Sequence, residues 1–317
     1  MKLSQFVSLS AAAMLTVVSG TGYAQESVVA GESPVKQPGE PGGEWAFTVE
    51  ASPSFTFRAD MDDEAGSVSV FRTGVGVEFA GPVGDRLRLS IGVDGEVSRY
   101  EFDDFGVLGA AGGDDESPLE DGYEAGVSLL ALYSFDDRWY GLGRGSVRAG
   151  WADDADLGDA IWGSAAVGVG YKFSDSFSLA LGGGFITRLE DNVAFLPLVV
   201  LNWQIDEKVS LSTTGVGLKL TAKVSESFDV FLRGGGDFHQ YRVDDDNQLL
   251  PGGVVNDTRV PIGVGFDWRP VAGLTVSLEG GAVVYQQFEF RNDDGDKVED
   301  VETDPAAFIG GRVSYRF

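Results

Sequence analysis

The sequence predicts an all-β fold: a transmembrane antiparallel up-and-down β-barrel of about fourteen strands, with twelve as the alternative count. Three observations carry that prediction. From residue 45 onward side chains alternate in polarity with a period of two, the alternating stretches run to about 12–15 residues, and the connections between them alternate between short and long. A period of two gives a strand two unlike faces. Globular strands are usually about 5–6 residues long, whereas a tilted strand crossing a bilayer needs about 9–11. Helical periodicity is not evident anywhere after residue 44.

Taken in order, residues 1–24 read as an export signal. They carry Lys2, an apolar stretch over 6–18, and small residues before a cleavage point predicted after Ala24. Residues 25–44, rich in Pro, Gly and Glu without any period, cannot bury a core and read as a flexible segment. The barrel is expected over 45–317. Trp45, Phe47, Val49, Ala51 and Phe55 alternate with Thr48, Glu50, Ser52 and Ser54. Leu87, Leu89, Ile91 and Val93 repeat the pattern, as do Tyr123 through Phe135, Val167 through Phe173, and Val260 through Trp268. Aromatic residues at strand ends (Trp139, Trp151, Tyr171, Phe173, Trp203, Phe266, Trp268) read as interfacial girdles.

Short connections are expected at 81–85, 136–137, 174–176, 206–208, 225–227 and 270–273. Long ones are expected at 60–66, 103–121, 153–159, 189–192, 243–257 and 292–304. A brief hairpin, 209–213 then 216–224, keeps all the short turns on one side and makes the strand number even, as single-chain outer-membrane barrels require.

Composition sharpens the picture. The chain has 317 residues, 50 Asp+Glu against 23 Lys+Arg, a net charge of −27 and no Cys. Such acidity repels phosphate backbones and argues against nucleic-acid binding. The absence of Cys excludes disulfides and thiolate metal sites. Counted over the sequence, the six long connections hold 28 of the 50 acids and only one base, Lys297, so the remainder carries 22 of each sign. The acidic loops are read mainly as solvated, with divalent cations as a candidate partner at that rim.

The sequence stops at Arg312, Val313, Ser314, Tyr315, Arg316, Phe317, with Val313, Tyr315 and Phe317 on one face. This resembles the closing strand of Gram-negative outer-membrane β-barrel proteins, which are porin-like in architecture. The resemblance implies residence in the outer membrane. It also implies contact with outer-membrane lipid and with the barrel-assembly machinery that reads such a C-terminal signal. More loosely, Pro197 and Trp203 followed by a short strand pair before 228–241 look like a group of functionally uncharacterised outer-membrane barrels.

The face opposite the apolar one is expected to line a lumen. Its candidate residues are Arg72, Arg88, Asp94, Glu96, Arg144, Arg148 and Lys172, continuing through Arg233, Asp237 and His239. Arg58 and Glu289 are read onto the same face, among others, as is Glu124. The expectation is a porin- or transporter-like barrel that passes or binds a small solute. The alternative is a non-conducting structural or surface-binding barrel whose lumen is closed by interlocked ion pairs. Enzymatic chemistry ranks third: His239 lies two residues after Asp237, yet no Gly-x-Ser-x-Gly or His-Glu-x-x-His motif is present. No catalytic, cofactor-binding or metal-ligating residues are therefore assigned.

Overall fold

The computed structural model describes residues 44–62, 66–108, 117, 119–153, 155–189 and 193–317. The predicted export signal and almost all of the segment that follows it lie outside these residues. Fifteen strands are present, and the described residues contain no α-helix. They are β1 (Ala46–Asp60), β2 (Ser67–Val83), β3 (Leu87–Asp103), β4 (Asp121–Ser134) and β5 (Trp139–Ala152). Next come β6 (Ile161–Ser174), β7 (Phe177–Thr187), β8 (Val193–Gln204), β9 (Val209–Thr214) and β10 (Val216–Lys223). The chain continues with β11 (Phe228–Arg242), β12 (Val254–Val271), β13 (Leu274–Arg291), β14 (Lys297–Glu302) and β15 (Ala306–Arg316).

From β1 to β14 each strand pairs antiparallel with its sequence neighbours, and β15 pairs with β13 and β1. The sheet therefore closes on itself. β14 pairs only with the outer end of β13, so fourteen strands form the wall. Twelve is excluded. The brief hairpin is real, its strands joined through Gly215 at φ 53°, a backbone conformation that glycine adopts without a Cβ penalty.

The outer face is an apolar belt. Ile91, Val93, Val127, Val167, Val199 and Val264 all stand exposed, Val264 at 62%. For a water-soluble domain this would be an aggregating surface; against lipid it is the expected one. Aromatic rings pair along one rim. Trp45 stacks on Phe79 at 4.4 Å, Trp139 meets Tyr171 at 4.7 Å, and Tyr315 meets Phe317 at 4.6 Å. The short turns and both ends of the barrel sequence lie at this rim, since Ala46 is opposite Ala80 and Thr48 opposite Arg316.

At the other rim the wall does not stay cylindrical. β10 leaves β11 at Gly236, because the β9–β10 hairpin is short. Beyond that point the freed edge of β11 crosses to β5, where Arg242 pairs with Trp151 in parallel. Two glycines permit the crossing. A Cβ on Gly150 would lie 2.0 Å from the Gln240 carbonyl oxygen, and one on Gly122 would lie 2.5 Å from the Tyr241 ring. The Arg242 guanidinium then ties the crossing down, donating to the carbonyls of Leu189 at 2.6 Å and Gly252 at 2.8 Å.

The long connections fold inward as well. Phe105, Val107, Leu119, Val243 and Leu250 from the loops join Val68, Val70, Tyr100, Phe102, Tyr241, Phe288 and Phe290 from the strands. Together they form one buried apolar cluster inside the mouth. These loops are thus not simply solvated, as their composition implied.

Three local expectations are corrected. The predicted connection 243–257 ends before Val254, and Asp257 is a fully buried residue of β12. Arg58 sits at a register shift in β1 and is exposed, paired with Asp103, instead of facing the lumen. In β12–β13 the register shifts between Val260 and Pro261, which leaves Val284 as the extra residue of β13. The shift reverses the alternation beyond it. Phe288 and Phe290 then point inward and Glu289 turns to the opposite face, where it accepts from Arg291. A bulge inserts one residue on one strand, and period-two reading cannot see it.

Candidate functional site: a layered lumen

The lumen is organised in layers beneath the apolar mouth cluster. In the first layer Arg72, 2% exposed, is ion-paired with Asp257 and donates from Nη2 to the Tyr100 hydroxyl at 2.9 Å. Tyr100 donates to Asp257 Oδ2 at 3.0 Å and Gln286 Nε2 donates to Oδ1 at 2.9 Å. Tyr241 donates to Ser98 at 3.0 Å. These contacts join β2, β3, β11, β12 and β13 across the barrel rather than along its wall.

The next layer holds His239. Its Nδ1 lies 3.0 Å from Glu124 Oε2 and 3.4 Å from Glu96 Oε1, and its Nε2 lies 3.2 Å from Asp237 Oδ1. Both ring nitrogens therefore face carboxylates. Arg259 Nε donates to Asp237 Oδ2 at 2.5 Å. Arg148 grips Asp94 with two parallel bonds, Nη1 to Oδ1 at 3.2 Å and Nη2 to Oδ2 at 2.7 Å, a bidentate geometry that adds direction as well as strength. Its guanidinium also lies 6.0 Å from the Trp162 ring.

Below this layer lies a cavity of about 100 Å³, lined by Glu96, Glu124, Arg148, Asp237, His239 and Arg259 on one side and by Arg233, Glu279 and Arg312 on another. Arg233 pairs with Glu279, donating from Nε to Oε2 at 2.5 Å. Closer to the aromatic rim, Lys219 donates to Asp267 at 2.9 Å and lies 4.3 Å from the Phe231 ring.

The ten sequence-derived lumen residues thus separate into groups. Asp94, Glu96, Arg148, Asp237 and His239 come together in one layer, with Arg72 directly above and Arg233 below. Arg144 is half-buried, two repeats of the pleat away from Arg148 on the same strand. Arg88 is half-buried in the opening residues of β3, and Lys172 pairs with Asp175 at the neighbouring short turn. At the closing strand, Phe317 N–H donates to the Phe47 carbonyl at 2.9 Å, and its ring lies 5.7 Å from that of Phe47. Val313, Tyr315 and Phe317 form an exposed apolar row on the outer face.

Asp257, Arg259 and Gln286 were not singled out from the sequence. Asp257 and Arg259 continue the inward parity of Gly263, Gly265 and Asp267, so the signal existed, but the connection read as 243–257 and an alternation read from Val260 onward hid it. Gln286 follows the bulge and carried no such signal.

No protein-family model matches the chain, and no curated protein matches it by sequence. Several solved structures are similar in architecture. The COG4313 outer membrane channel from Pseudomonas putida F1 is 12% identical, with 90% of this chain and 99% of that chain covered, at a TM-score of 0.47. The P. putida toluene transporter TodX is 9% identical, covering 87% and 90%, at 0.42. The NanC porin is 9% identical, covering 84% and 98%, at 0.35. At these identities and scores the likeness carries no functional argument; the barrel architecture rests on the strand pairing and the exposed apolar belt described above.

Proposed function

We propose that this protein resides in the outer membrane of a Gram-negative bacterium and acts as a narrow, gated channel or transporter for a small polar solute. The observation that carries this reading is the charged cavity in mid-lumen, walled by arginines and carboxylates. Fourteen strands enclose more lumen than wall side chains alone can fill, and here the enclosed volume is lined for a hydrated, charged guest rather than packed with apolar side chains. Rings of charged groups set ion preference at close quarters. The apolar cluster at the mouth acts as the closure, and its opening would require β11 and the loops packed on it to move outward. The solute class that fits is small and charged or strongly polar, since Arg148, Arg233, Arg259 and Arg312 face the same space as Glu96, Glu124 and Glu279.

A second reading, a non-conducting barrel, is favoured by that same mouth cluster and by the ion pairs that cross the lumen. Planar-bilayer recording of purified protein separates the two. The channel reading expects rare, brief openings of the wild type. A Phe102→Ser/Phe288→Ser variant, which removes two rings 5.6 Å apart in the closure, should show long-lived ones. Silence from both proteins would leave the structural barrel as the better description.

A further inference from the structure

We propose that Glu96, Glu124 and His239 form a binding site for one divalent transition-metal ion, which pins the crossing segment of β11 to β3 and β4. This inference is independent of whether the barrel conducts. It starts from a misfit in the sheet. Glu96 and Glu124 stand directly opposite one another in the β3–β4 register, both on the inward face. Like charges in that position repel, and burial in the lumen sharpens the repulsion because little water screens it.

The surrounding cations relieve the misfit only in part. Arg148 is engaged with Asp94, Arg259 with Asp237, and Arg72 with Asp257 and Tyr100. Arg72 approaches Glu96 only to 3.9 Å. Each guanidinium thus makes its shortest contact with another carboxylate; what both glutamates share at close range is the His239 imidazole, while Ser98 Oγ donates to Glu96 at 3.3 Å. A protonated His239 supplies one positive charge against two negative ones. A divalent ion on a neutral imidazole supplies two.

The geometry suits such an ion. With metal–ligand bonds of about 2.0–2.2 Å, ligand atoms in a tetrahedral shell lie about 3.3–3.6 Å apart. His239 Nδ1 is 3.4 Å from Glu96 Oε1 and 3.0 Å from Glu124 Oε2, the latter a little closer than that spacing, and one ligand atom from each of the three residues lies within 4.8 Å of the others. A second observation points the same way. The Glu124 side chain is 1% exposed, it lines the cavity, and its Oε1 accepts no hydrogen bond. A buried carboxylate oxygen left in that state is costly, and coordination would use it. Asp237 Oδ1 stands 3.2 Å from Nε2, on the side where metal-bound imidazoles ordinarily have an outer partner, although Nε2 makes no hydrogen bond. The fourth position would open on the cavity, where water fits. One imidazole with two carboxylates favours zinc, cobalt, iron or manganese over thiolate-loving ions.

The test uses the purified full-length barrel, stripped with chelator and titrated with Co²⁺ or Zn²⁺. The expected result is one ion per chain and, with Co²⁺, the intense visible absorption of four-coordinate cobalt. His239→Ala and Glu124→Gln should each weaken binding by about 10–100-fold or more, since even outer-shell losses have effects of that size. Asp300→Asn, at the acidic rim, should leave it unchanged. The proposal is overturned if no stoichiometric ion binds. It is overturned equally if binding survives both ligand substitutions, which would assign the ion to the loops. Where a ligand variant does not fold, X-ray absorption on the cobalt-loaded wild type decides: imidazole scattering in a nitrogen/oxygen shell supports the site, and an oxygen-only shell rejects it.

Discussion

Replacing Arg72 with leucine tests whether the lumen beneath the mouth is dry. The guanidinium is 2% exposed and Asp257 is 0% exposed, so neither charge is solvated by bulk water. Removing Arg72 leaves Asp257 with only the Tyr100 hydroxyl and Gln286 Nε2 as donors. Breaking a buried pair from one side costs about 3–5 kcal/mol, because the orphaned charge stays buried. Removing both partners in an Arg72→Leu/Asp257→Leu variant should recover much of that loss, since an apolar pair of similar volume is often neutral or better. The assay is denaturant unfolding of the detergent- or liposome-reconstituted barrel, read by tryptophan fluorescence. Retention of heat-modifiable mobility serves as the check that each variant is folded. A coupling energy well above 1 kcal/mol is expected from the double-mutant cycle. If Arg72→Leu costs less than about 1 kcal/mol, as exposed pairs do, and the two changes simply add, then water reaches this layer and the closed-mouth reasoning fails.

The lipid-facing assignment predicts that Val264→Arg costs roughly 2–4 kcal/mol near the bilayer midplane, checked by the same unfolding assay; a neutral effect would argue that this face meets water. Gly150→Val should drive a side chain into the Gln240 carbonyl and push β11 off β5, giving a barrel that folds but conducts more or is nicked by protease near 243–253. The control Gly143→Ala, whose Cβ meets nothing within 4 Å, should behave as wild type. In the turn after β4, the backbone N–H groups of Trp139 and Arg138 bond Asp136 and hold its carboxyl below the ordinary 3.8. A lowered carboxylate contributes its stability above that value and loses it as pH falls through the folded one. Asp136→Ala should therefore destabilise the barrel at neutral pH, and the difference from wild type should vanish in strong acid. A difference that persists there would put the effect elsewhere.

How much of this was readable in the sequence depends on the range over which the physics acts. Inward or outward facing is a local property of the pleat, so Asp94, Glu96, Arg148, Asp237 and His239 could be placed on one face from parity alone. The wall count followed from turns and from the short 209–213 strand, which are also local. Parity fails within and beyond each bulge, as Arg58 and Glu289 show, because nothing in the neighbouring residue types announces an inserted position. The pairing of Arg72 with Asp257 spans 185 residues in the chain, and no periodicity encodes it. What did carry long-range information, in retrospect, was glycine. Gly122 and Gly150 are inward positions on strands otherwise able to bear side chains, and each is vacant because β11 passes over it.

That crossing links the fold to both functional readings. β11 is a wall strand up to Gly236, where it loses β10, and an interior strand from Asp237 onward, where five successive residues are buried on both faces. The same five residues supply Asp237 and His239 to the charged layer and Tyr241 to the apolar closure. One segment therefore shapes the cavity, closes the mouth above it and carries the imidazole that faces Glu96 and Glu124. An outward movement of that segment would have to separate His239 from the glutamates at the same time as it opened the apolar cluster. If a metal ion holds the imidazole there, chelation should lower the cost of opening. A rise in open probability on adding chelator to reconstituted wild-type protein, reversed by Zn²⁺ and absent in His239→Ala, would tie the gate to the site. Openings that ignore the metal would leave the two as neighbours without coupling.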